Sequence, residues 1–201
     1  MTTEGYYFAL VHVGNAVLAG GNEISAKGDP DKALNYFSRA LEIRPDFDLA
    51  LDDMGIVLLN QGKHQEALPY LTKAVQVSPN FSHAHNDLGV AMERFGRFDE
   101  AISEYAQAVR LDPNLQVAHV NLAKLLASRG RLDDAIQEYS EAIRLKPDDP
   151  IPHYDLGIVF NSKGDVRRAI AEFSAVLKLK PDSPEAQRAL SLLSRSAGRS
   201  E

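Results

Sequence analysis

The chain of 201 residues contains no cysteine. Disulfides, thiolate nucleophiles and cysteine-ligated zinc are therefore excluded, while the compartment is left open. A surplus of positive charge is missing too: 22 Lys and Arg stand against 28 Asp and Glu, a net charge of −6. A general nucleic-acid binder needs a basic face to displace counterions, so no nucleic-acid partner is expected. No apolar run reaches the roughly 18 residues of a membrane span. The best candidate starts at Tyr6, but His12, Gly14, Asn15, Gly20, Gly21 and Asn22 break it, so no membrane insertion is expected. A positively charged start is also lacking, since the first basic residue is Lys27. The pattern is not that of a secretory leader, and a cytoplasmic location is the expectation. There is no phosphate-binding loop and no nucleophile elbow, because Gly20-Gly21 lacks the residues that would follow. No catalytic residue, enzyme activity or cofactor is expected.

What is present is a period. Prolines fall at Pro45, Pro79, Pro113, Pro147 and Pro181, each 34 residues after the last. Gly28, Gly62, Gly96, Gly130 and Gly164 keep the same step, as do Ala33, Ala67, Ala101, Ala135 and Ala169. A fixed period of this length signals stacked supersecondary units, none of which buries its apolar face alone. A glycine tolerates the left-handed conformation that ends a helix. A proline lacks an N–H and restricts the residue before it, so it ends the next helix. Each unit is therefore two antiparallel helices joined by a tight turn.

The period and its markers resemble the tetratricopeptide repeat (TPR), in which Leu-Gly, a large residue, Ala, an aromatic, Ala and Pro recur at fixed places. Leu88-Gly89, Met92, Ala101, Tyr105, Ala108 and Pro113 fill those places, and Leu156-Gly157, Phe160, Ala169, Phe173 and Pro181 do so again. The resemblance covers roughly residues 14 to 181. It implies an all-α fold, a right-handed superhelix (solenoid) of five two-helix repeats plus a C-terminal capping helix. The repeats are placed at 14–47, 48–81, 82–115, 116–149 and 150–182, the cap at 183–196, and a disordered tail at 197–201. Helices are expected at about 48–61 and 64–77, 82–95 and 98–111, 116–129 and 132–145, and 150–163 and 166–179. Asp99, Asp133 and Asp165 stand where they can cap or favour a helix N-terminus. Gly55, Gly89, Ala123 and Gly157 are expected to face Ala67, Ala101, Ala135 and Ala169 at close helix contacts.

Residues 1–13 depart from the period. Gly14 lies 19 residues before Ala33, whereas Gly89 lies 12 before Ala101. The difference is close to two helical turns at 3.6 residues each, which predicts a first helix lengthened to about Tyr6–Lys27. Its extra turns would leave Tyr6, Tyr7, Phe8, Leu10 and Val11 uncovered, a surface on which two copies could associate.

Two constellations invite a chemical reading. His85, His119 and His153 recur one repeat apart, roughly 10 Å by helix packing, while zinc–nitrogen bonds are about 2.0 Å. They cannot share an ion, and packing histidines without a metal are expected. Neighbouring carboxylates such as Asp52-Asp53 and Asp133-Asp134 should diverge on a helix as solvated charge. The resemblance points elsewhere, because in that family the first helix of each repeat lines a concave groove. Its sixth position holds Asp53, Asp87, Asn121 and Asp155, similar to the asparagine ladder in the superhelix of O-linked N-acetylglucosamine transferase. An ionised aspartate only accepts hydrogen bonds, which favours partners rich in donors. Asp52, Asn86, Val120 and Tyr154 take the fifth position and Ile56, Val90, Lys124 and Ile158 the ninth. An acidic rail beside an apolar strip suits an extended or helical segment with basic and apolar side chains. The subgroup that clamps acidic chaperone tails does not fit, because its basic and amide places hold Asp52, Ile56, Asp87, Val117 and Asn121. The resemblance thus implies a non-enzymatic scaffold that binds a protein or peptide. The alternatives are self-assembly through the N-terminal helix, or an adaptor segment of a larger glycosyltransferase or membrane protein.

Overall fold

The structure, a computed structural model, describes residues 29–197 together with Gly5, Phe8, Ala9, Val11 and His12, and for 192–197 the backbone alone. Among the described residues ten helices follow one another with no strand: α1 (Pro30–Ile43), α2 (Asp48–Asn60), α3 (His64–Val77), α4 (Ser82–Arg94), α5 (Phe98–Leu111), α6 (Gln116–Ser128), α7 (Leu132–Leu145), α8 (Pro150–Ser162), α9 (Val166–Leu179) and α10 (Pro184–Ala197). The fold is all-α, a succession of two-helix repeats. From Asp48 onward each expected helix end lies within a residue of the observed one.

The period works through its helix ends. Gly62, Gly96, Gly130 and Gly164 take φ of 76°, 70°, 78° and 77°, which a side chain would strain. In that conformation the next N–H turns back onto the last turn of the helix. Lys63 N donates to Leu58 O at 2.8 Å, and Arg97 N to Met92 O, Arg131 N to Leu126 O and Asp165 N to Phe160 O, each at 2.9 Å. These are Schellman closures. The second helices stop instead at residues outside the helical conformation, Arg44, Ser78, Lys146 and Lys180, each followed by proline. Asp165 does cap α9, accepting from Arg168 N at 3.0 Å. Asp99 and Asp133 sit inside the first turns of α5 and α7, where they favour the helix dipole without capping.

The chain divides into two compact units, residues 1–111 and 112–201. In the first, α2 pairs with α3 and α4 with α5, α1 packs on α2 and α3 on α4, and the first helices α2 and α4 touch each other. In the second, α6 pairs with α7 and α8 with α9, α7 packs on α8, α6 touches α8, and α10 covers α9. The second helices bury a stripe at i, i+4 and i+7: Ala67, Leu71 and Ala74; Ala101, Tyr105 and Ala108; Ala135, Tyr139 and Ala142; Ala169, Phe173 and Val176. Each large side chain so buried is worth roughly 1.5–3 kcal/mol. The glycines of the first helices have these large side chains as their nearest neighbours. A methyl group on Gly55 would lie 2.4 Å from Leu71 Cγ, on Gly89 2.7 Å from the Tyr105 ring, and on Gly157 2.7 Å from the Phe173 ring. The glycine gives the ring its room.

The N-terminal expectation is corrected at Val11. It is only 4% exposed and belongs to a core with Phe37, Ala40, Phe47, Ala50 and Met54. Its own chain covers it, so it offers nothing to a second copy. Phe8 stays 43% exposed and meets the Phe47 ring edge-on at 5.0 Å. Tyr6, Tyr7 and Leu10, most of the lengthened helix and the tail 198–201 lie outside the described residues.

Candidate functional site

A helix places residues at i, i+3, i+4 and i+7 on one face. On α2 this brings Leu49, Asp52, Asp53 and Ile56 to the side away from the α3 pair, and on α4 it does the same for His83, Asp87 and Val90. Asp52, Asp53, Ile56 and Asp87 line one open cavity of ≈ 380 Å³, with Leu49, Phe81, His83, Phe8, Val11 and His12 completing its wall. Asp52 and Asp53 therefore do not diverge into solvent. They are about 100° apart on the helix, and a cavity this wide takes both.

The two fifth-position residues of this unit are buried rather than displayed. Asp52 is 5% exposed, and its Oδ1 is buried without a hydrogen-bond partner. Burial, then the charges of Asp87, Asp53 and Asp48, push its pKa up to about 8. Asn86 is buried and donates from Nδ2 to Asp87 Oδ1 at 3.0 Å, so it holds the ladder residue. Burial raises the Asp87 carboxyl to about 6, against the hydrogen bond from Asn86 and the nearby His83, while Asp53 pushes the same way as burial. Val90 is half-buried and outside the cavity lining.

The second unit is chemically different. Tyr154 and Asp155 line a smaller cavity of ≈ 180 Å³ with Pro150, Ile151, Val176, Lys180, Ser183 and Glu185. Burial raises the Asp155 carboxyl, but Lys124 and the Tyr139 hydroxyl hydrogen-bonded to it pull it back. This carboxylate already has a donor from its own chain. Tyr154 also stacks at a tilt on Phe173, 5.5 Å between ring centres. Val120 and Asn121 are half-buried on α6, and Lys124 and Ile158 are exposed. Exposed apolar side chains follow the same face: Leu49 on α2, Val117 on α6, and Ile151 and Ile158 on α8, with Ile151 59% exposed.

The histidines form a structural device that the sequence reading missed. His85 Nδ1 lies 2.6 Å from Glu104 Oε2, and its Nε2 lies 2.9 Å from Pro79 O. His119 repeats this with Glu138 at 2.7 Å and Pro113 O at 3.1 Å, and His153 with Glu172 at 2.7 Å and Pro147 O at 3.2 Å. A carbonyl oxygen only accepts, so Nε2 carries the hydrogen and donates. Each ring thus ties the start of a first helix to the second helix of its repeat. Burial alone would lower the His119 pKa; the bonds to Glu138 and Pro113 outweigh it and hold it above the ordinary histidine value. The sequence carried the signal: a glutamate 19 residues after each of these histidines and a proline six before. Among the described residues no group of three or more metal-ligating side chains comes together, and no helix is long and apolar enough to cross a membrane.

Models of the tetratricopeptide repeat match the chain over 53–115 and 154–201, more than half its length, and over 24–47; a TPR repeat model matches 123–164. No curated protein matches it in sequence. Among solved structures, MamA is 25% identical, with a TM-score of 0.70 over 77% of this chain and 90% of that one. YrrB, reported as a TPR protein with an unusual peptide-binding site, is 22% identical, with a TM-score of 0.69 over 90% of this chain and 89% of that one. The pilF protein of Pseudomonas aeruginosa is 16% identical, with a TM-score of 0.85 over 98% of this chain and 86% of that one.

Proposed function

The chain belongs to the tetratricopeptide repeat family, and from that premise we propose that it is a non-enzymatic scaffold whose first helices bind a segment of a protein partner. One observation carries the reading. The first helices hold large apolar side chains in solvent, Leu49 in the first unit and Val117, Ile151 and Ile158 in the second, and within each unit the same helices carry the polar row, Asp53 and Asp87 in one and Asn121 and Asp155 in the other. A solenoid gains nothing for its own stability from an exposed isoleucine, and apolar surface rimmed by polar groups is what a protein partner covers. Asp52 and Ile56, with Val90, Val120, Lys124, Tyr154 and Ile158, flank that row. YrrB, of the same fold, has a peptide-binding site, which supports a peptide as the occupant here. Basic and apolar residues in the partner would complement the row. The test is capture from the native cell extract, with partners identified by mass spectrometry. The chain is compared with a folded variant carrying Asp53→Ala, Asp87→Ala, Asn121→Ala and Asp155→Ala. A partner held by the first and lost by the second supports the reading, and equal capture places the binding surface elsewhere.

A further inference from the structure

We propose that the cavity lined by α2 and α4 in the first unit is a socket for one arginine or lysine side chain of the bound protein segment. This rests on the reading above and specifies what the first unit selects.

The socket is a built one. Asp52 is 5% exposed, and its Oδ1 is buried with no partner, while the residue lines the cavity. An unmet buried acceptor destabilises the fold and calls for an explanation. A donor arriving with a ligand supplies one. Asp53 and Asp87 line the same cavity and add to the negative potential at Asp52. Among the described residues of the lining there is no lysine or arginine. Leu49, Ile56 and Phe81 form apolar walls, which suit the methylene stem that carries a charged head to buried carboxylates. At Asp155 in the second unit, by contrast, the charge of Lys124 opposes the effect of burial on the carboxyl.

Proton balance fixes how binding responds to pH. With the socket empty, burial and three neighbouring carboxylates keep the Asp52 proton on near neutrality. When a cationic head seats, that proton leaves to solvent and the carboxylate takes the charge-assisted hydrogen bond instead. Binding thus releases a proton, and affinity rises with pH up to about 8. The other titratable groups facing the socket are Asp53 on α2, Asp87 and His83 on α4 and His12 on the N-terminal segment, and of these Asp87, its carboxyl raised by burial to about 6, ionises over the same range.

The probe is an oriented nonapeptide library with its central residue fixed as Arg, Lys, Gln or Glu, presented to the immobilised full chain at pH 6 and pH 8. The expected result is at least a tenfold enrichment of the Arg and Lys pools over the Gln and Glu pools at pH 8, falling severalfold at pH 6. Asp52→Asn, checked for folding by circular dichroism, removes the enrichment, whereas Asp155→Asn keeps it. Should Asp52→Asn not fold, Asp87→Asn carries the same expectation. Equal retention of all four pools overturns the socket and leaves the scaffold reading standing. Enrichment that survives Asp52→Asn, or that follows Asp155→Asn instead, also overturns it. Retention of no pool at either pH defeats both the socket and the peptide-binding reading.

Discussion

Replacing Asp52 by asparagine should make the protein more stable, and the gain should grow with pH. An aspartate whose pKa is raised in the fold binds its proton more tightly folded than unfolded. It favours the fold below the unfolded value of 3.8 and loses that contribution as pH climbs towards about 8. Each tenfold in proton affinity is about 1.4 kcal/mol, which bounds the loss at roughly 6 kcal/mol. Relaxation and water penetration cut the penalty of a buried charge to several kcal/mol. Set against a total stability of about 5–15 kcal/mol, even half of that is conspicuous. Asn keeps the shape and never ionises. Asp87, with its pKa near 6, and His119 also make the wild type less stable as pH rises, so the difference between the two proteins isolates Asp52. Urea unfolding followed by far-UV circular dichroism at pH 5 to 9 measures it. Amide exchange in α2 and α4 gives the local readout, because repeat arrays need not unfold in one step. Asp52→Asn should lead by no more than about 1–2 kcal/mol at pH 5 and by about 3–5 kcal/mol at pH 9. Parallel curves across the range would refute the buried-carboxyl argument.

Gly89→Ala sets a methyl group 2.7 Å from the buried Tyr105 ring. Overpacking of about 1–3 kcal/mol should exceed the roughly 1 kcal/mol gained in helix propensity, so the melting temperature should fall. Gly164→Ala meets no atom within 4 Å but holds φ at 77°, so thermal melting should show a loss of about 1–2 kcal/mol from strain alone. His119→Leu strands Glu138 and Pro113 O and should cost about 1–3 kcal/mol in urea titrations. Because the native His119 pKa is raised, the wild-type advantage should be greatest below about 6.5 and fade as pH rises through the native value.

The helices were legible because their ends are covalent facts about two residue types. Gly62, Gly96, Gly130 and Gly164 occupy the left-handed conformation the period demands, and the prolines follow the second helices at once. Val11 was misjudged because counting turns says how long a helix is and not what covers it. Its partners Phe37 and Phe47 stand more than twenty residues away in sequence. Asp52 and Asn86 were placed in the groove by their fifth position in the repeat. Burial depends on what packs against a residue, and Asp52 is buried. The same limit hid the division of labour between the units. Asp87 and Asp155 hold the same place in the repeat, yet Asn86 and His83 act on one carboxyl while the Tyr139 hydroxyl and the charge of Lys124 act on the other. The histidine brackets were written in the spacing to Glu104, Glu138 and Glu172, but a search for metal ligands looks past a single glutamate.

The most direct measurement of the central claim is a methyl NMR titration of the chain with the segment of a captured partner. The account predicts shifts at Leu49, Ile56, Val90, Val117, Ile151 and Ile158, all on first helices. Shifts confined to Ile43, Val77 and Leu179, the exposed methyls of the second helices, would contradict it.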